Sequence, residues 1–212
     1  MARRIPGRGN ALRTSIAQEA ARLMAEQGIH DYGLAKRKAA ERFGASASDG
    51  SILPGNIEIE AALRERQRLF GGEAHSANLV RLRGVAIRAM TLLTGFEPRL
   101  VGPVLLGTAT EYDDVQLHVF ADSVESVVIF LMDRHVDHEV IQRRLRLQAD
   151  REPVFVPGVR LELDGQGVEA IVFGHDGIRQ SPVSQVDGRP MRRAALPEVR
   201  ELGDDQRLPI SR

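Results

Sequence analysis

Apolar positions recur at helical spacing over the first half of the chain and at strand spacing over much of the second. Ile16, Ala20, Leu23 and Met24 share one helical face, and Gly28 supplies a stop. Ser15 and Gln18 have the spacing of a capping box at the start of that helix. A second helix is predicted from Asp31 to Phe43, ended by Gly44, with Lys36, Arg37 and Lys38 on a solvated face. Residues 45–55, ASASDGSILPG, have loop composition. Asn56 then caps a third helix that puts Ile59, Ala62, Leu63 and Phe70 on one face, and Gly71-Gly72 ends it. A fourth covers Ser76 to Thr94 with Leu79, Leu82, Ala86 and Leu93 in one stripe, and Gly95 stands in a C-cap position.

Near residue 99 the period changes. RLVGPVLLG is a short apolar run, and DVQLHVFAD alternates, with Val115, Leu117 and Val119 on one face and Asp114, Gln116 and His118 on the other. Ser123 opens a helix with Val124, Val127, Val128, Leu131 and Met132 on one side. Strands are expected at Arg144–Gln148, Val154–Val156, Val159–Leu163 and Val168–Phe173, the last two joined as a hairpin by LDGQG. The predicted fold class is α+β, four helices packed on a mixed unit of order β-β-α-β-β-β-β. The predicted divisions are a flexible arm at 1–13, a helical region at 14–96, an α+β core at 97–175 and an irregular tail at 176–212.

Composition narrows the class. The 212 residues include no Cys, which excludes a disulfide scaffold, a zinc ribbon and a thiol nucleophile and fits a cytoplasmic location. No apolar run is long enough to span a bilayer, so no membrane association is expected, and the basic start MARRIPGRGN lacks the apolar stretch of a secretory signal. The net charge of zero hides an excess of six basic residues over 1–100 and of six acidic residues over 101–212. A basic half can face an anionic partner or dock on the acidic half, and the overall balance favours docking. Lys36-Arg37-Lys38 and the arm arginines leave contact with nucleic-acid phosphate open. Only nine aromatics are present, and few interleave with basic residues, which argues against a single-strand stacking platform.

The distinctive stretch is GPVLLGTATEYDDVQLHVFAD, residues 102–122. Gly102 and Gly107 precede a polar turn, and Asp114 opens an alternating strand. Such a glycine-rich turn can bring backbone N–H groups, including that of Thr108, to a phosphate, and a carboxylate at the adjacent strand can hold Mg²⁺. The stretch resembles the nucleotidyltransferase superfamily, the DNA polymerase beta-like or minimal nucleotidyltransferase fold. It also resembles a group of uncharacterised bacterial proteins of this layout assigned there without a defined substrate. The superfamily has Gly-Ser, about ten residues with a further Gly, then Asp-x-Asp on a strand and a third carboxylate on a later strand. Gly102, Gly107 and Asp114 match that frame, and Glu169 in VEAIVF falls at the third carboxylate. The resemblance implies a nucleotidyltransferase-like core over 97–175, with Asp114 and Glu169 as catalytic and metal-binding groups. It further implies Gly102, Gly107 and Thr108 at a nucleoside triphosphate, Mg²⁺ as cofactor, and transfer of a nucleotidyl group to an acceptor.

Two positions depart from the frame. Pro103 stands in place of the Ser, and Gln116 in place of the second Asp. Gln116 and His118 are the remaining metal candidates, but an amide is a weak ligand and imidazole a poor one for Mg²⁺. The alternative is therefore a catalytically degenerate module that binds a nucleotide or a protein partner. Plainer readings stand beside these: Asp114 as a turn cap, Glu169 as the outer face of a strand, His118 as a hydrogen-bonded structural residue, and Gly102 and Gly107 as a bend. DRHVDHE puts His135 and His138 three apart without closing ligands elsewhere, and Ser181 and Ser184 lack a nucleophile-elbow context.

Overall fold

The computed structural model describes residues 8–45 and 52–204 and divides into two compact units. One comprises residues up to 72 together with 185–187, and the other the remainder, so the boundary falls inside the region predicted as helical.

Among the described residues, three α-helices build the first unit: α1 (Arg8–Gln27), α2 (Tyr32–Arg42) and α3 (Asn56–Arg66). Both α2 and α3 pack on α1, and Ile16, Ala20, Leu23, Ala35, Ala39, Ile59 and Leu63 form the core. Residues 8–13 of the predicted arm are helical, and residues 1–7 lie outside the described residues. Ser15 is consequently inside α1, not a cap, and its hydroxyl donates to the Ala11 carbonyl at 3.1 Å. Asp31 caps α2 by accepting from the Leu34 amide at 2.6 Å. The cap of α3 is Gly55 in place of the predicted Asn56: Glu58 accepts from the Gly55 amide at 2.6 Å. Glu58 also accepts from Arg13 Nε at 2.8 Å, which ties α3 to α1. Phe70 leaves the predicted apolar face because residues Gln67–Gly71 form a π-helical turn. The wider turn rotates its ring outward to 75 % exposure.

In the second unit, α4 (Gly72–Leu92) packs against a five-stranded mixed sheet. The order along the chain is β1 (Arg99–Val101), α5 (Gly102–Leu106), β2 (Val115–Phe120), α6 (Val124–Asp133), β3 (His138–Leu145), β4 (Val154–Leu163), β5 (Gln166–Phe173) and α7 (Leu196–Asp204). Across the sheet the order is β1-β2-β5-β4-β3, with β2 and β5 parallel and every other pair antiparallel. The protein is α+β, as its patterning predicts.

Details differ from the expected elements for local reasons. RLVGPVLLG splits into a strand and a helical turn because Pro103 suits the first helical turn. Gly107, at φ 78°, then ends that turn in the left-handed region. DRHVDHE is not helical: His135, at φ 54°, follows the end of α6, and His138 begins β3. The strand expected at Arg144–Gln148 therefore starts earlier. Val154–Leu163 is one strand running through Pro157 and Gly158, and Met132 is exposed off the α6 stripe. In the predicted tail, Ala194 pairs with Leu100 on β1 and Val199 of α7 joins the core. Among the described residues no helix is long and apolar enough to cross a membrane.

The LDGQG hairpin turns at Asp164 and Gly165, at φ 53° and 73°, the signature of a two-residue type I′ turn. Gly165→Ala is expected to lower unfolding stability by about 1 kcal/mol through left-handed strain, read as a shift in the urea midpoint with an unchanged slope.

Candidate functional site

Alternation gives the sheet two unlike faces. Val115, Leu117, Val119, Val159, Leu161, Val168, Ala170 and Val172 pack into the core with residues of α4, α5, α6 and α7. The opposite face carries the candidate chemistry. Cross-strand register sets Gln116, Glu169, Arg160 and Glu139 in one row over β2, β5, β4 and β3. Asp114 lies one residue before β2 and shares this face. Farther along, the same face is apolar, filled by Phe120, Val156, Ile171 and Phe173.

The structure thus brings Asp114, Gln116 and Glu169 onto adjacent positions of one face, but both carboxylates are engaged. Asp114 accepts from Arg160 Nε at 3.0 Å, and Glu169 accepts from Arg143 Nε at 2.8 Å and from its Nη2. These bonds raise both guanidinium pKa values above the ordinary arginine value, the direct hydrogen bond being the larger cause in each. Glu169 is buried, whereas the side chains of Arg143 and Arg160 keep 51 % and 44 % exposure. Among the described residues no three His, Asp or Glu side chains group as a metal cage. Two carboxylates already charge-balanced by guanidinium, with an amide between them, do not fit a pair of Mg²⁺ ions.

The remaining predicted residues occupy defined roles. Gly102 has φ 71°, and a Cβ there would meet Gln116 Cδ at 3.1 Å, so the Gln116 amide lies over the glycine backbone. Gly107 and Thr108 sit at the end of α5, where both amides turn back to the Pro103 carbonyl, and His75 Nε2 lies 3.1 Å from the Gly107 carbonyl. Thr108 is buried. Asp113 is a turn residue that accepts from the Thr110 amide at 2.7 Å and hydroxyl at 2.8 Å. His118 is buried, and its Nδ1 accepts from Arg193 Nε at 2.9 Å, which places the ring proton on Nε2. Burial, aided by the Arg193 charge, lowers its pKa from 6.5 to about 3. Arg193 lies over Phe120 and Phe173, and burial followed by the Arg99 charge lowers its pKa to about 10.

Arg143, Arg160, Gly167 and Arg193 escape the sequence reading. Arg160 had a usable signal, since it alternates with apolar residues in VRLEL. Arg143 and Arg193 had none, because long side chains reach their partners across intervening strands or loops. Gly167 reads as turn composition, yet its part is to leave space. A Cβ there would lie 2.6 Å from Arg160 Nη2 and closer still to Asp114 Oδ1. The sequence matches no protein-family model, and no curated protein is significantly similar to it.

Two outcomes follow from this geometry. Gly167→Ala should displace the Asp114–Arg160 pair and destabilise by about 1–3 kcal/mol. Adding Asp114→Ala should recover part of that loss, a non-additivity that a double-mutant cycle in urea measures. The second concerns pH. The folded protein keeps His118 neutral while the unfolded chain protonates it below 6.5. Its contribution is full above pH 6.5 and is lost progressively as pH falls toward 3. His118→Gln retains an acceptor for Arg193 and should flatten the decline in melting temperature between pH 6.5 and 5, above the range where carboxylates titrate.

Proposed function

We propose that this chain is a nucleotidyltransferase-like module, working in the cytoplasm, that has exchanged metal-ion chemistry for recognition of phosphate by arginine. The observation that supports this is the pairing of Asp114 with Arg160 and of Glu169 with Arg143, with Gln116 between them. In the superfamily frame, anionic oxygens at these positions would neutralise divalent cations. Here they orient guanidinium groups instead.

A guanidinium has five N–H donors in a fixed fork. Arg160 directs Nε to Asp114, and Arg143 directs Nε and Nη2 to Glu169. The remaining donors and the exposure of both side chains suit them to bidentate contact with phosphate oxygens. The ligand is then a nucleoside triphosphate or a related phosphate ester, bound without Mg²⁺ and released unchanged. Nucleotidyl transfer would require Asp114 and Glu169 to release their arginines and Gln116 to act as a metal ligand, each unfavourable.

The test is a thermal-shift and calorimetric titration of each nucleoside triphosphate in EDTA, then with Mg²⁺ or Mn²⁺. Binding in EDTA should stabilise the protein by about 2.7 kcal/mol at a hundredfold excess over Kd. The double variant Arg143→Gln, Arg160→Gln should lose that stabilisation. Stabilisation that appears only with a divalent cation, accompanied by pyrophosphate release, would support nucleotidyl transfer instead. No shift with any triphosphate would move the reading to a partner-binding module.

A further inference from the structure

The two edges of the sheet are treated differently. At β1, Leu100 and Ala194 exchange backbone hydrogen bonds of 2.9 Å, so the C-terminal segment covers that edge. At the other edge, β3 pairs only with β4 among the described residues. It is eight residues long, without Pro or Gly. The Arg146 carbonyl just beyond it accepts from the Val183 amide at 2.7 Å, which closes the edge only past its end.

Which backbone groups β3 leaves free can be counted from the hairpin. Leu163 and Gln166 flank a two-residue turn, so they form a hydrogen-bonded pair. Counting back, the odd residues of β4 bond to β5 and the even residues bond to β3. The even residues of β4 lie opposite Glu139, Ile141, Arg143 and Leu145. The N–H and C=O groups of His138, Val140, Gln142 and Arg144 therefore point outward. The outward carbonyl of Arg146 agrees with this alternation.

We propose that this edge joins a second copy of the same chain, β3 against β3 antiparallel, with Ile141 on the two-fold axis. Only a register that matches outward groups with outward groups forms the ladder. With Ile141 opposite its own copy, Val140 pairs with the second Gln142, and Glu139 faces the second Arg143 twice over. Glu139 is exposed, and Arg143 has Nη1 left after binding Glu169. Moving the axis to Gln142 sets Arg143 against Ile141 and Arg144 against Val140, and the charge match is lost. Edge charges ordinarily keep copies apart, but in this register they are complementary. On the other face of the same edge, Val140 and, one strand in, Phe155 are 57 % and 69 % exposed. A second copy at the edge would reduce that exposure.

The experiment is sedimentation velocity on the full chain from about 1 to about 100 µM, where micromolar association is resolved. A dimer is expected. Gln142→Pro removes one outward donor per copy and leaves the β4 ladder intact, because that N–H does not face β4. It should give a monomer with unchanged circular dichroism and unchanged melting temperature at low concentration. Glu139→Arg, a surface change, should weaken association at least about tenfold. A wild-type monomer over the whole range would overturn the proposal, as would a dimer that both variants leave intact. Arg143 also belongs to the proposed phosphate site, so sedimentation is run without triphosphate, and Gln142→Pro, which leaves Arg143 in place, separates loss of the dimer from loss of phosphate binding.

Discussion

Glu169 places a carboxylate on a strand buried along its whole length, and the polar face of the second unit is arranged around its pairing with Arg143. A carboxylate withdrawn from water needs a cation with matching hydrogen-bond geometry, or its desolvation is uncompensated. Arg143 provides one from β3, two strands away. In the register of the sheet, Gly158 falls between them on the same face and presents no side chain. The edge strand is thus tied to the central strand by charge as well as by its ladder to β4. A second pair, Asp114 with Arg160, repeats the arrangement over Gly167. Together the two pairs give this end of the face balanced carboxylates and partly exposed guanidinium groups.

The opposite side of the sheet bears no such chemistry. Branched aliphatic residues of β2, β4 and β5 meet the apolar faces of α4, α5, α6 and α7, and burial there supplies the unit's cohesion. This division frees the other face for polar groups. Even there one end is covered, because Arg193 lies across Phe120 and Phe173 and donates to His118 and to the Gly177 carbonyl. Half-buried Arg193 donates to a neutral imidazole and to carbonyls and lies over ring faces, which supports its charge without a carboxylate. Arg83 resembles it in the helical layer, donating to the Leu202 and Val104 carbonyls.

Much of the architecture was legible because burial is periodic. The helices, the alternating strand at 115–120, the α6 stripe and the 163–166 hairpin each repeat a local pattern that one neighbouring layer imposes. The departures share a cause. Apolar spacing places Phe70 on a helical face that a π turn rotates away, and it makes RLVGPVLLG one run although Pro103 and Gly107 bracket a helical turn. In each case the departure lies in backbone geometry within a few residues, where apolar spacing carries little information. The 176–212 stretch carries no periodic signal because one bridge at Ala194 and one arginine have no periodicity, although together they cover an edge and close part of a face.

For the site, the chain by itself determined that Asp114, Gln116 and His118 share a strand face, since alternation is local. It also determined that Gln, not a second Asp, stands at position 116. Tertiary structure alone decided what surrounds those groups. Parallel pairing of β2 with β5 brought Glu169 beside Gln116, and antiparallel pairing of β5, β4 and β3 carried Arg160 and Arg143 to the carboxylates. These partners lie 26 and 46 residues apart in the chain. Spacing in a sequence expresses what one element places on one face. Charge balance depends on which strands become neighbours, and that is settled only when the sheet assembles.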